Sequence, residues 1–271
     1  MMLNGEIFLK EGEQMSNIEE VVQIPCLADN YGYLVHDPDS KLTASIDSPS
    51  IDPIEDVLRQ NGWLLTHIFN THHHYDHTGA NLELKERWKC KIVGSAKDVD
   101  RIPGIDQRVS DLDIFSFGNH EVKVIDVPGH TRGHIAFYFP GEAKLFCGDA
   151  LFALGCGRIF EGTPEQMWKS LQKLQDLPDD TKVYCAHEYT LANANFAVTV
   201  EPQNEVLSKR VQEIKNLRDK GKPTVPSTIG LEKSTNPFLR PMSRDIQANL
   251  NMLGAELVDV FAETRRRKDN F

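Results

Sequence analysis

Thr71-His72-His73-His74-Tyr75-Asp76-His77 holds four of the chain's ten histidines within six residues. A β-rich run, LLTHIFN (64–70), leads in, and a helical pattern, ANLELKERW (80–88), leads out, so the histidines belong to the loop at a strand's C-terminal end. In an extended segment, residues two apart project to the same side. His72, His74 and Asp76 are therefore expected to converge, with His73 and Tyr75 turned away. A surface polyhistidine tract is the bland alternative, but three other segments repeat the same grammar. EVKVIDVPG ends in His130, KLFCG in Asp149 and KVYCA in His187. Ligands on loops anchored by strand ends are what a rigid, open metal site requires. His72, His74, His77, His130 and His187 with Asp76 and Asp149 are too many donors for one ion and right for two, with a carboxylate between them. Imidazole and carboxylate without thiolate favour zinc and also suit Fe or Mn. A structural zinc would be closed by four ligands, typically rich in Cys, whereas this set reads as an open hydrolytic site completed by water.

Outward from that run, the chain up to about residue 188 alternates short strands and turns: YGYLV (31–35), LTASID (42–47), KIVGS (91–95), IAFYF (135–139) and those already quoted. Helices are expected at 52–62, stopping at Gly62, at 80–88, and at 163–177, where Thr163, Pro164 and Gln166 form a capping-box start. Beyond 188 the strand signal fades. Val206, Leu207, Val211, Ile214 and Leu217 fall at helical spacing, the breaker-rich KPTVPSTIG follows, and a final pair of helices is expected at 243–253 and 256–268. The reading is an α/β catalytic body, 1–188, with a helical C-terminal domain, 189–271, made of two or three helices.

Composition narrows the function. With 271 residues, 40% of them hydrophobic, the chain can build a substantial core. Its net charge of −10 disfavours a nucleic-acid partner, which needs a surplus of Lys and Arg along one face. No run approaches the roughly 18 apolar residues of a membrane span. Five cysteines, an odd number with no C-x-x-C pair, argue for a reducing compartment, and a cytoplasmic monomer is the expected form. The first fifteen residues, with three Glu and no Arg, match neither a secretory signal nor a transit peptide, and are expected to form a mobile tail or to reflect the choice of start site, since Met15 could also initiate.

THHHYDH, PGHTRGH, FCGDALF and YCAHEYT together resemble the metallo-β-lactamase superfamily, and within it the hydroxyacylglutathione hydrolase (glyoxalase II) family. The resemblance runs from DNYGYLV (29–35) through GCGRIFEGTPEQMW and STNPFLR to RRRKDNF. It implies an αββα sandwich with a helical C-terminal domain. It implies one metal ion on His72, His74 and His130, a second on Asp76, His77 and His187, and Asp149 bridging both, with Asp76, His77 and Asp149 central to catalysis by a bridging water or hydroxide. It also implies that Arg158, Tyr189, Arg265 and Lys268 hold the glutathione moiety. Two residues beyond Arg158, some members carry Tyr where this chain has Phe160, a ring expected to pack and not to bond. The implied activity is hydrolysis of S-2-hydroxyacylglutathione, with S-D-lactoylglutathione the expected substrate, as the second step of methylglyoxal detoxification.

His134 is expected to be hydrogen-bonded and structural, and Asp47 to accept from the far nitrogen of a ligand histidine, although a turn-forming Asp is the simpler alternative. His36, His67 and His120 read as ordinary packed or surface histidines, and Cys147 and Cys156 have no base placed to make them nucleophiles. Cations in the terminal RRRK also complement a helix dipole. Competing functions are a relative acting on another thiol derivative, such as a mononuclear-iron persulfide dioxygenase, and a non-enzymatic metal-binding module.

Overall fold

The computed structural model describes residues 21–271, so the expected N-terminal tail lies outside the described residues. In chain order the elements are β1 (Val21–Cys26), β2 (Asn30–Asp37), β3 (Leu42–Ile46), α1 (Ile51–Asn61), β4 (His67–Phe69), α2 (Tyr75–Thr78), α3 (Asn81–Trp88) and β5 (Lys91–Ser95). There follow β6 (Gln107–Val109), β7 (Ile114–Phe117), β8 (His120–Asp126), β9 (Ile135–Phe139), β10 (Lys144–Gly148), β11 (Leu151–Phe152), β12 (Gly155–Cys156), α4 (Pro164–Gln175) and β13 (Lys182–Cys185). The chain closes with α5 (Thr190–Val200), α6 (Glu205–Asp219), β14 (Ser227–Thr228), α7 (Ile229–Thr235), α8 (Arg244–Leu250) and α9 (Leu257–Asp269).

Two six-stranded sheets face each other, one ordered β1-β2-β3-β4-β5-β6 and the other β14-β13-β10-β9-β8-β7. Strand alternation builds the layers. Tyr33, Val35, Phe69 and Val93 join the core between the sheets, while Leu34, Ile68 and Ile92 turn outward onto Ile54 and Leu58 of α1 and Leu84 of α3. Burial on both faces explains why these strands read as nearly continuous apolar runs. On the far side of the second sheet, Met167, Leu171 and Leu174 of α4 and Phe261 of α9 complete the αββα sandwich. The expected capping box on α4 is present, with Thr163 accepting from the Gln166 amide, and Gly62 ends α1 in the left-handed region. No described helix is long and apolar enough to cross a membrane.

Two expectations need correction. The C-terminal segment holds five helices, not two or three, and β14 pairs with β13 and so joins the second sheet. Helix α5 was missed because Thr190 and Asn193 sit among its buried residues while Leu191 and Val198 lie off that side, which leaves no amphipathic stripe, and a two-residue strand carries no periodicity. Asp76 does not extend the alternation of His72 and His74, because the chain turns into α2 at Tyr75, placing Asp76 and His77 on a helical turn.

Topology gathers the site. Strands β8, β10 and β13 run in one direction, since β9 is antiparallel to both β8 and β10 and β13 is parallel to β10. Their C-terminal ends therefore open on one edge of the sandwich, where the loop after β4 also arrives.

Candidate metal centre and cleft

Three groups of donors lie within 4.8 Å of one another: His72, His74 and His130; Asp76, His77 and His187; and His72, His77 and Asp149. In the first, Nδ1 of His74 faces Nε2 of His72 at 3.0 Å and Nε2 of His130 at 3.1 Å. The outward nitrogens settle the tautomers. Nδ1 of His130 donates to the Arg158 carbonyl at 2.9 Å, and Nδ1 of His72 lies 3.1 Å from Thr71 Oγ1, which itself donates to Asp47. Both Nε2 atoms therefore turn lone pairs inward, an arrangement that suits a cation.

Asp149 stands between the groups. Its Oδ2 is 3.5 Å from His130 Nε2, and its Oδ1 is 3.4 Å from Nε2 of both His77 and His187. Nδ1 of His77 contacts Asp47 at 2.8 Å, and Nδ1 of His187 contacts Asp29 at 2.9 Å. Nε2 of His77 and Oδ1 of Asp149 are buried and take no hydrogen bond among the described residues. Each such orphan costs about 1–3 kcal/mol, and more where a charge is involved. Donors of imidazole and carboxylate type, with lone pairs converging and two of them orphaned, fit a pair of divalent cations.

Protonation follows the same division. Burial, with the neighbouring imidazoles adding to it, holds His72 well below its ordinary value, pushes His74 down to about 4 and lowers His130. Burial opposes the charged forms of Asp149 and Asp76 as well, but the imidazoles around them hold both carboxyls far below the usual range. His77 and His187 move upward: burial is the largest single influence and works against it, but Asp149 together with Asp47 and Asp76 at His77, and with Asp29 at His187, outweighs it. Cations entering the second group would displace those protons.

The backbone enforces the arrangement. Gly148 sits at φ +48, where a Cβ would come within 2.4 Å of Thr71 Oγ1, so glycine is required at the turn that delivers Asp149. His134 is buried and hydrogen-bonded, as expected: its Nε2 accepts from the Asp149 amide at 3.1 Å and its ring stacks on His72. Asp47 supports both groups, through His77 directly and through Thr71 to His72. His73 turns away to Asp98, as the alternation predicted, and Tyr75, the first residue of α2, is exposed. His36 stacks on Trp63, His67 sits against Thr66, and His120 contacts Glu142. All five cysteines are free and buried, and burial raises the Cys147 and Cys156 thiols, the latter to about 11. Burial of this kind favours the thiol over the reactive thiolate.

Sequence reasoning missed Asp29 and Asn30. Asn30 Nδ2 donates to Asp76 Oδ2 at 3.0 Å, and the turn carrying both residues is joined to the His187 loop by Glu188 N–H to Asp29 O. Only the Asp-Asn pair before YGYLV hinted at them, and it reads as a turn.

The centre forms the foot of a cleft of about 520 Å³, whose other walls include Arg158, Tyr189, Arg265 and Lys268. Tyr189 stacks on His187, with centroids 4.6 Å apart and planes 7° apart, and burial pushes its phenol well above its ordinary value. The Arg158 side chain is 64% exposed. Lys268 reaches the Ala192 carbonyl and lies over Phe196 and Phe271. Arg265 is buried, with Nη1 on the Cys156 carbonyl at 2.8 Å and Nη2 on Asp269 at 2.9 Å. Phe160 packs beside His130 and His74 yet stays 61% exposed at the lip.

Comparison with known proteins identifies the family. Residues 47–187 match the metallo-beta-lactamase superfamily and residues 188–271 match the hydroxyacylglutathione hydrolase C-terminus. A hydroxyacylglutathione hydrolase of Methylococcus capsulatus is 55% identical over 93% of this chain and 98% of its own length. One from Rhizobium etli is 55% identical over 91% of this chain and 96% of its own. Among solved structures, ETHE1 from Myxococcus xanthus superposes with a TM-score of 0.64 at 26% identity, covering 92% of this chain and 99% of that one. The BLEG-1 B3 metallo-beta-lactamase, at 21% identity and TM-score 0.63 over 82% of this chain and 100% of its own, shares the fold. With both family regions adjoining and such relatives matched along nearly their whole length, the chain belongs to the hydroxyacylglutathione hydrolase family of the metallo-β-lactamase superfamily.

Proposed function

We propose that this chain hydrolyses S-2-hydroxyacylglutathione, with S-D-lactoylglutathione the expected substrate, to glutathione and a 2-hydroxy acid. The observation that carries the reading is Asp149, which lies within 3.5 Å of His130 on one side and of His77 and His187 on the other, at the foot of a cleft that Arg158 and Lys268 line. His72, His74 and His130 would hold one divalent ion and Asp76, His77 and His187 the other, with Asp149 common to both; zinc is favoured and Fe or Mn also suit. Bound there, the ions would supply a water acidified towards neutrality and polarise the thioester carbonyl.

The chain's own groups do the rest. Asp47 and Asp29 keep His77 and His187 oriented from behind, and His134 fixes the Asp149 backbone. Tyr189, kept protonated by burial and by nearby carboxylates, Asp29 foremost, presents a hydroxyl donor beside His187. Arg158 and Lys268 offer charge to the substrate's carboxylates, and Arg265 holds the Cys156 carbonyl and Asp269 in place beneath them. A thiol with an ordinary pKa near 8.5 departs as thiolate, so the reaction requires no general acid. Residues 1–188 then form the catalytic unit and 189–271 complete the thiol-side wall, in a cytoplasmic monomer whose five thiols are all free. The full second group, Asp76, His77 and His187, favours this over a one-ion relative.

The test follows loss of thioester absorbance with S-D-lactoylglutathione on metal-loaded and chelator-stripped protein, beside an acyl thioester lacking the peptide. Metal-dependent turnover that prefers the glutathione substrate is expected. Turnover without preference would retain the hydrolase and discard the substrate.

A further inference from the structure

We propose that Asp269 is a specificity residue of this cleft: one of its oxygens holds the arginines, and the other receives the ammonium of the substrate's γ-glutamyl end. This rests on the glutathione reading above. Asp269 lines the cleft as the last residue of α9, with its side chain 40% exposed. Oδ1 serves both neighbours, at 2.9 Å from Arg265 Nη2 and 3.7 Å from Arg158 Nε. Both arginines are met through Oδ1, and Oδ2 accepts no hydrogen bond among the described residues. The carboxylate therefore keeps an open acceptor on a wall otherwise supplied with cations.

Local helix energetics do not account for an acid there. The other charges of the last turn are Arg266, Arg267 and Lys268, which suit the negative end of the helix dipole, whereas a carboxylate opposes it. An Arg four residues before an acid is also the weaker orientation of an i,i+4 pair. The ligand's charge does account for it. A glutathione thioester carries two carboxylates and one ammonium, and the wall offers Arg158, Arg265 and Lys268 with one anion, Asp269. The sulfur must reach Asp149 and His187 at the foot, which leaves the peptide ends toward α9. Cations alone would accept any dicarboxylate; an anion among them discriminates in favour of the zwitterionic end.

The experiment titrates S-methylglutathione and N-acetyl-S-methylglutathione calorimetrically into metal-loaded wild-type protein and Asp269→Asn at low ionic strength, with S-D-lactoylglutathione hydrolysis measured alongside. Acetylation should weaken binding to wild type roughly fivefold, the upper range for a partly exposed charge pair, and should weaken binding to the variant little. A steric effect of the acetyl group would persist in the variant. Equal affinities in wild type, or discrimination retained in Asp269→Asn while both ligands weaken together, would overturn the inference and leave Asp269 a tether for arginines. Wild type that hydrolyses the thioester without discriminating overturns this inference alone, and wild type that neither binds nor hydrolyses overturns the glutathione reading with it.

Discussion

The foot of the cleft and its C-terminal wall are built on opposite principles. At the foot, His72, His77, His130, Asp149 and His187 are all buried, and the imidazoles other than His74 are pinned from behind by Asp47, Asp29, Thr71 or a carbonyl. On the wall, Arg158 and Lys268 keep solvent access and rest on long side chains. A donor set must converge before any ion arrives, so its orientation is fixed by the fold. A binding wall must also release product, and exposed charge pairs contribute only about 0.2–1 kcal/mol each. Changes at the foot should therefore move metal content and kcat, and changes on the wall should move KM.

The harshest test of that division is Asp149→Ala. Both donor groups lose their common carboxylate, so elemental analysis should find both ions depleted and turnover should fall by several kcal/mol, on the order of a thousandfold. Near-normal rate would remove Asp149 from the centre. Asp47→Asn is the next step down. Asp47 sits at φ +56, a left-handed conformation that Asn tolerates, so the substitution removes charge with little backbone cost. Metal affinity should fall roughly 10- to 100-fold, with both ions affected because Asp47 backs both His77 and His72. Asp29→Asn should cost less and touch only the His187 group, since Asp29 is half exposed. Equal losses in the two variants would mean that burial behind the ligands is not what grades their support.

The same contrast explains what could be read from sequence. His72 and His74 come together as their two-residue spacing predicts, and the loops after strands deliver His130, Asp149 and His187, so local pattern and chain order sufficed for these donors. Asp76 needed knowledge that α2 begins at Tyr75, which a four-residue helix does not announce. The partnership of His187 with Asp29 spans 158 residues, and no periodicity encodes it. In the second sheet β14 was invisible for the same reason, since two residues gain strand character only from pairing with β13. On the wall, Arg265 is expected from sequence either to hold the glutathione moiety or, as part of RRRK, to complement a helix dipole; its commitment to the Cys156 carbonyl and Asp269 arises from how α9 packs.

A smaller effect is expected from Lys268→Ala. Burial and the neighbouring Arg265 and Arg158 lower the pKa of this amine, so an anion reaching it would relieve an unfavourable crowding of charge. KM should rise about fivefold, with kcat and metal content unchanged and the penalty shrinking as salt is added. Loss of metal on this substitution would join wall and foot into one unit.

The mildest substitution is Phe160→Tyr, and it probes the seam between the two regions. The ring lies 5.1 Å from His130 and 6.1 Å from His74 by centroid, so it touches the foot while standing exposed at the lip. A hydroxyl added there meets solvent, costs no burial, and can donate to the peptide of a bound thioester. One such bond contributes about 0.5–1.5 kcal/mol, which corresponds to a two- to tenfold lower KM. With kcat steady, steady-state kinetics would place Phe160 on the wall. A change in kcat or metal content at constant KM would instead mean that the ring acts through His130, and that the foot extends to the lip.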